Sequence, residues 1–124
     1  MKSIVLLVFS LVMILFAVVP VSGQDKPEGS KKITMHRYLV ERTFPNGFLI
    51  PLDQVGKDLC LTVVSNNAED NVTWVHSYVT LDKKKSFCIY DAPSPEAIEK
   101  SAKANGLPVD KIIEVSVLDP YFYK

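Results

Sequence analysis

The run VTWVHSYVTLDKKKSFCIYD, residues 72–91, decides how this chain folds. Its two ends, 72–80 and 85–91, are rich in β-branched and aromatic residues and read as strands. The charged link at 81–84 is too short for anything but a hairpin, which makes the lysines at 83–85 a solvated tip. Successive side chains of a strand point to opposite faces, and sorting them by chemistry suggests that Tyr78 lies opposite Cys88. On that register Trp74, His76, Tyr78, Cys88 and Tyr90 share one face. Val75, Val79, Phe87 and Ile89 form the other, an aliphatic surface suited to meeting helices.

Working outward from the hairpin, ITMHRYLVERTF at 33–44 is a further strand, stopped by the turn signal Pro45-Asn46-Gly47. Asp53 then offers a helix N-cap, and Val55, Leu59 and Val63 recur near helical spacing until Asn66-Asn67 end the run. On the other side, Ser94 caps a second helix, with Pro95 in its first turn and Glu96 at the positive end of its dipole. Gly106 and Pro108 end it. Residues 112–118 close the domain as a fourth strand, with Ile113, Val115 and Val117 on one face. The order β-α-β-β-α-β predicts an α+β, ferredoxin-like fold with a four-stranded antiparallel sheet. The first and third strands would be central and both helices would lie on one face.

Helices on one face leave the other uncovered. With Trp74, His76, Tyr78 and Tyr90 on it, that face is too aromatic to stay in water, so a homodimer with two sheets face to face is expected. The aromatic tail Tyr121-Phe122-Tyr123 would help to close such an interface. On this register Cys88 points away from Cys60, which argues against an intrachain disulfide even in an oxidising compartment.

The N-terminus sets that compartment. Lys2 precedes an apolar run at 4–19, broken only by Ser10, and small residues follow at Ser22 and Gly23. This is the layout of a secretory signal cleaved after Gly23, and it predicts a secreted or periplasmic product beginning at Gln24. The competing reading is an uncleaved anchor, which would make the membrane a partner, because residues 4–21 approach the roughly 20 apolar residues that span a bilayer. Residues 24–32 are polar and rich in Lys, Gly and Pro, a composition suited to a disordered spacer, and 33–124 form the single domain. Lys and Arg number 14 against 14 Asp and Glu, and no basic surface with stacking side chains stands out, so nucleic acid is not an expected partner.

The densest cluster of potential ligands and titrating groups is His76 with Tyr78, Cys88 and Tyr90. Imidazole and thiolate suit divalent transition metals. His36 and Glu41 could join across a dimer, whereas within one subunit His36 lies about two strand spacings, roughly 10 Å, from His76. Trp74 and Tyr38 would be the aromatics of this ligand face. The plainer reading of each histidine is an interface or surface residue, and that of Glu41, Asp91 and Glu114 is ion pairing, with Arg37 or Arg42 as the cation. Asn71-Val72-Thr73 fits a glycosylation sequon. There is no Ser-His-Asp order, no GxSxG, no phosphate loop and no paired-carboxylate arrangement, which favours binding over catalysis.

The segments HRYLVERTF (36–44), WVHSYV (74–79), FCIYDAP (87–93) and NGLPVDKIIEV (105–115) together resemble the bacterial domain-of-unknown-function 4242 family, which includes a nickel-binding protein. The resemblance spans nearly all of the domain. It implies a ferredoxin-like fold and a dimer, and with less force nickel binding. Relatives often carry a His in the second helix where this chain has Ser101, and many lack an export signal. The leading functional expectation is therefore an exported dimeric binding protein for a divalent transition metal such as nickel. A small-molecule enzyme or ligand-binding module with a pocket at the sheet, using His76 for proton transfer, is the alternative. An aromatic face that serves dimerisation alone is the third.

Overall fold

The computed structural model describes residues 29–122. The targeting segment and most of the expected spacer lie outside the described residues. The elements follow the expected order: β1 (His36–Thr43), α1 (Gln54–Ala68), β2 (Thr73–Val79), β3 (Lys85–Ala92), α2 (Pro95–Ala104) and β4 (Lys111–Glu114). A short 3-10 helix, Pro120–Phe122, comes last. The four strands make one antiparallel sheet in the order β2-β3-β1-β4, with β1 and β3 central. The fold is α+β with a ferredoxin-like arrangement.

Local chemistry accounts for the helix boundaries. The Asp53 carboxylate accepts from the Gly56 amide at 3.0 Å, and the Ser94 hydroxyl from the Ala97 amide at 3.2 Å, each satisfying a donor that the first helical turn leaves open. At the end of α2, Gly106 adopts φ +65°. Its amide bonds the Lys103 carbonyl at 3.1 Å while that of Leu107 bonds the Ala102 carbonyl at 2.9 Å, which is the Schellman closure.

The hairpin register differs from the chemical sorting. Ser77, not Tyr78, lies opposite Cys88, Tyr78 lies opposite Phe87, and a bulge at Val75 lets Trp74 pair with Tyr90 and His76 with Ile89. The link at 81–84 sets this, because it places Thr80 against Lys85, where the Thr80 amide donates to the Lys85 carbonyl at 2.9 Å. A slip of one residue exchanges faces. Cys88, Tyr90 and Trp74 therefore lie on the helix side of the sheet, together with Tyr38 and Val40 of β1, and not on the open side. The bulge restores Trp74 to the company of Tyr90 but leaves His76 and Tyr78 on the open face, beside Phe87 and Ile89. Cys88 thus shares the helix side with Cys60, contrary to expectation, and both are free thiols. The core proper gathers Tyr38, Val40, Cys88, Tyr90 and Ala92 of the sheet against Ile98 of α2. β4 is shorter than expected, and Val117 lies beyond it, exposed.

Candidate functional site

α1 is tied down at its two ends and stands away from the sheet between them. At its start, Gly56 fits against the preceding loop so closely that a β-carbon there would fall 1.7 Å from the Pro51 carbonyl oxygen. At its end the buried Asn67 accepts from the Asn105 side chain at 2.9 Å, and Asn66 donates to Asn105 at 2.8 Å. Between these anchors the apolar residues of α1 are spread around the helix, so no single face packs down. Gly56 and Asn67 are its buried residues. Under the helix lies a cavity of about 660 Å³, within the usual ~300–1,000 Å³ range of small-molecule sites.

The floor of this cavity comes from the helix side of the sheet: Trp74, Ser77, Cys88, Tyr90 and Arg42. Its roof and walls are mainly apolar, from Phe48, Leu59, Val63 and Leu107, with Phe44 and Phe48 stacked at 4.6 Å in the loop that leads to α1. Arg42 is the unusual member. It follows Val40 on the buried side of β1 and is 2% exposed. Its Nη1 donates to the Pro108 carbonyl, its Nη2 lies 3.3 Å from the Tyr90 hydroxyl, and the guanidinium sits 5.8 Å from the Tyr90 ring centre. Its Nε is buried without a hydrogen-bond partner. Burial pushes the Tyr90 hydroxyl above its ordinary pKa, with the Arg42 charge opposing, so Tyr90 remains a neutral phenol at physiological pH.

The residues singled out from the sequence divide among three places. His76 and Tyr78 stand on the open face with their rings edge-on at 5.1 Å. Cys88, Tyr90 and Trp74 line the cavity on the opposite side of the sheet. His36 bonds Glu114 at 2.8 Å at the end of β1, with its ring 6.5 Å from that of Tyr38. Tyr38 is raised in pKa by burial and by the charges of Glu114 and Glu96. Glu41 pairs with Lys85 on the open face. Arg37 chelates Asp91 there through Nε and Nη2, both at 2.8 Å, and the first cause of the lowered Asp91 pKa is this hydrogen bonding. Ion pairing is thus the role of Asp91 and Glu41, the latter with a lysine as partner, while Glu114 is hydrogen-bonded to His36.

No group of three or more His, Cys, Asp or Glu comes together among the described residues. The expected ligands are split by the sheet itself, His76 and Tyr78 on one side and Cys88 and Tyr90 on the other, so these four do not fit one metal ion within a chain. Arg42 escaped the sequence reading as a site residue. The available signal was parity: it shares a strand face with Tyr38 and Val40, where a charge is out of place unless something meets it.

Comparison with known proteins adds a family. A family model described as nickel responsive protein SCO4226-like matches residues 38–115. The match supports the nickel-related part of the resemblance seen in the sequence, but not its domain-of-unknown-function 4242 label. Among solved structures, the crystal structure of SCO4226 from Streptomyces coelicolor A3(2) superposes with a TM-score of 0.55 at 18% identity, covering 67% of this chain and 99% of that one. At that identity the likeness speaks for the fold alone. No curated protein matches the sequence significantly.

Proposed function

Since this chain belongs to the SCO4226-like family of nickel responsive proteins, we propose that it is a small exported binding protein that holds an apolar small molecule between α1 and the sheet. The cavity of about 660 Å³ beneath a helix anchored only at its ends is the observation that carries this reading. It keeps the ligand-binding alternative of the sequence and moves its pocket from the open face to the helix side. Export rests on the reading of residues 1–23. Trp74 is the chain's single tryptophan and lines the cavity, so it reports on occupancy. Titration with the neutral dye phenylnaphthylamine should give saturable energy transfer from Trp74 at one dye per chain. Dye fluorescence that rises without saturation would overturn the proposal.

A second reading concerns the metal in the family's name. A divalent transition metal such as nickel would be held between two copies joined at the open sheet face, each contributing His76 and Tyr78. What favours it is that these two side chains are exposed beside the half-buried Leu39, Phe87 and Ile89 on a face that no helix among the described residues covers. Glu41 is already committed to Lys85, and Cys88 and Tyr90 lie across the sheet, so none of these belongs to the reading as it now stands. Metal analysis and sedimentation of untagged protein should show a dimer with stoichiometric nickel that His76→Ala removes. Metal retained in His76→Ala would refute this site.

A further inference from the structure

The cavity contains a charge that nothing answers. Arg42 is 2% exposed, and among the described residues no carboxylate pairs with it. A guanidinium withdrawn from water is strongly disfavoured unless charge and hydrogen bonds compensate it. Here the compensation is one carbonyl, one phenol at 3.3 Å and a ring face. Among the described residues the cavity lining supplies no Asp or Glu and adds a second cation, Lys83.

The same molecule shows what the Nε–Nη2 edge of a guanidinium takes as a partner. Arg37 meets the Asp91 carboxylate with Nε and Nη2, one oxygen to each, both at 2.8 Å. In Arg42 the equivalent edge holds an unpartnered Nε and an Nη2 with only the long contact to Tyr90. That edge matches a carboxylate in the two-pronged way that guanidinium favours. Most of the remaining lining is apolar, with Phe48, Leu59, Val63 and Leu107 among it, and Thr62, Asn66, Ser77, Ser86 and Asn105 are its uncharged polar members.

We propose that the cavity is a site for an aliphatic carboxylate, whose headgroup meets the Nε–Nη2 edge of Arg42 and whose hydrocarbon chain lies beneath α1. This rests on the cavity reading above and specifies its ligand. A neutral apolar molecule would fill the volume but leave Arg42 uncompensated. A monoester phosphate would bring a second charge beside one buried guanidinium, since Lys83, the other cation of the lining, is exposed. One charge on a flexible chain satisfies both halves of the site.

The full chain is titrated by displacement of phenylnaphthylamine with dodecanoate, dodecanol and dodecyl phosphate at neutral pH. Dodecanoate should bind at least about tenfold more tightly than dodecanol, the scale of a hydrogen-bonded ion pair gained over a neutral contact. Arg42→Gln should abolish that preference. The comparison within the unaltered chain does not depend on the variant folding, so it stands alone as a test. Equal affinity for dodecanoate and dodecanol would overturn the carboxylate site yet leave the apolar cavity standing. Tighter binding of dodecyl phosphate than of dodecanoate would overturn it in favour of a phosphate site. If saturable dye binding is not displaced by any of the three, the carboxylate site falls while the dye-binding cavity remains. Failure of the dye itself to saturate removes both readings.

Discussion

The two helices sit on the same side of one sheet and do opposite things. α2 is short, well capped and set down on the core, with Ile98 fully buried and Ser101 and Ala102 beside it. α1 is half as long again at 15 residues against 10, yet it buries only Gly56 and Asn67, and Leu59 at its middle remains 50% exposed. The difference lies in how apolar residues are distributed. In α2, Ile98, Ser101 and Ala102 recur at three and four residues and make one inward stripe, whereas in α1 Val55, Leu59, Leu61, Val63 and Val64 point in several directions. A helix with a stripe closes a core; a helix without one can be held at its ends over a space. In this fold the filled core belongs to the α2 half and the cavity to the α1 half.

The largest effect that would test this division is on stability. Ile98→Ala should cost about 2–5 kcal/mol, the usual loss for emptying a filled core position. Leu59→Ala should cost under about 1 kcal/mol, as expected for a half-exposed side chain, and should instead weaken dye binding in the cavity. Urea denaturation of both variants measures the contrast, and similar midpoints for the two would break it. The smallest effect comes from the open face. Because hydrogen bonding to Arg37 holds the Asp91 carboxyl below its ordinary pKa, the pair contributes above the unfolded pKa of Asp91, and its contribution fades as pH falls through the lower folded value. Asp91→Asn should therefore lower stability slightly at neutral pH and flatten the acid side of the stability profile, without changing dye binding. A profile as steep as that of the parent chain would remove this pair from the acid response.

Much of the fold was legible in the sequence because its signals are local. Asp53, Ser94, Pro95 and Gly106 mark helix ends through bonds to neighbours a few residues away, and the tight link at 81–84 marks the hairpin. The register was not: the link places Thr80 opposite Lys85, and so Tyr78 opposite Phe87 and not opposite Cys88 as expected. Sorting by chemistry misled, because it assumed that aromatic and sulfur-bearing side chains gather away from the helices. Tyr38, Cys88 and Tyr90 are instead the core. The bulge at Val75 left no mark of its own, as it answers to the sheet and not to any residue in β2. Within the candidate site, Arg42 could be found by strand parity, but the cavity above it could not. A void depends on how far a helix stands from a sheet, and that distance follows from the contacts of Gly56 with Pro51 and of Asn67 with Asn105, neither of which is visible along the chain.

The bulge at Val75 has a further effect on how the molecule meets its neighbours. β2 is an edge strand, and an edge of unpaired backbone groups is a template for uncontrolled strand addition and aggregation. A kink in that edge, and only four residues in the strand at the other, leave little straight backbone for a foreign strand to copy. The sheet is thereby left to associate through side chains on its faces and not through its backbone.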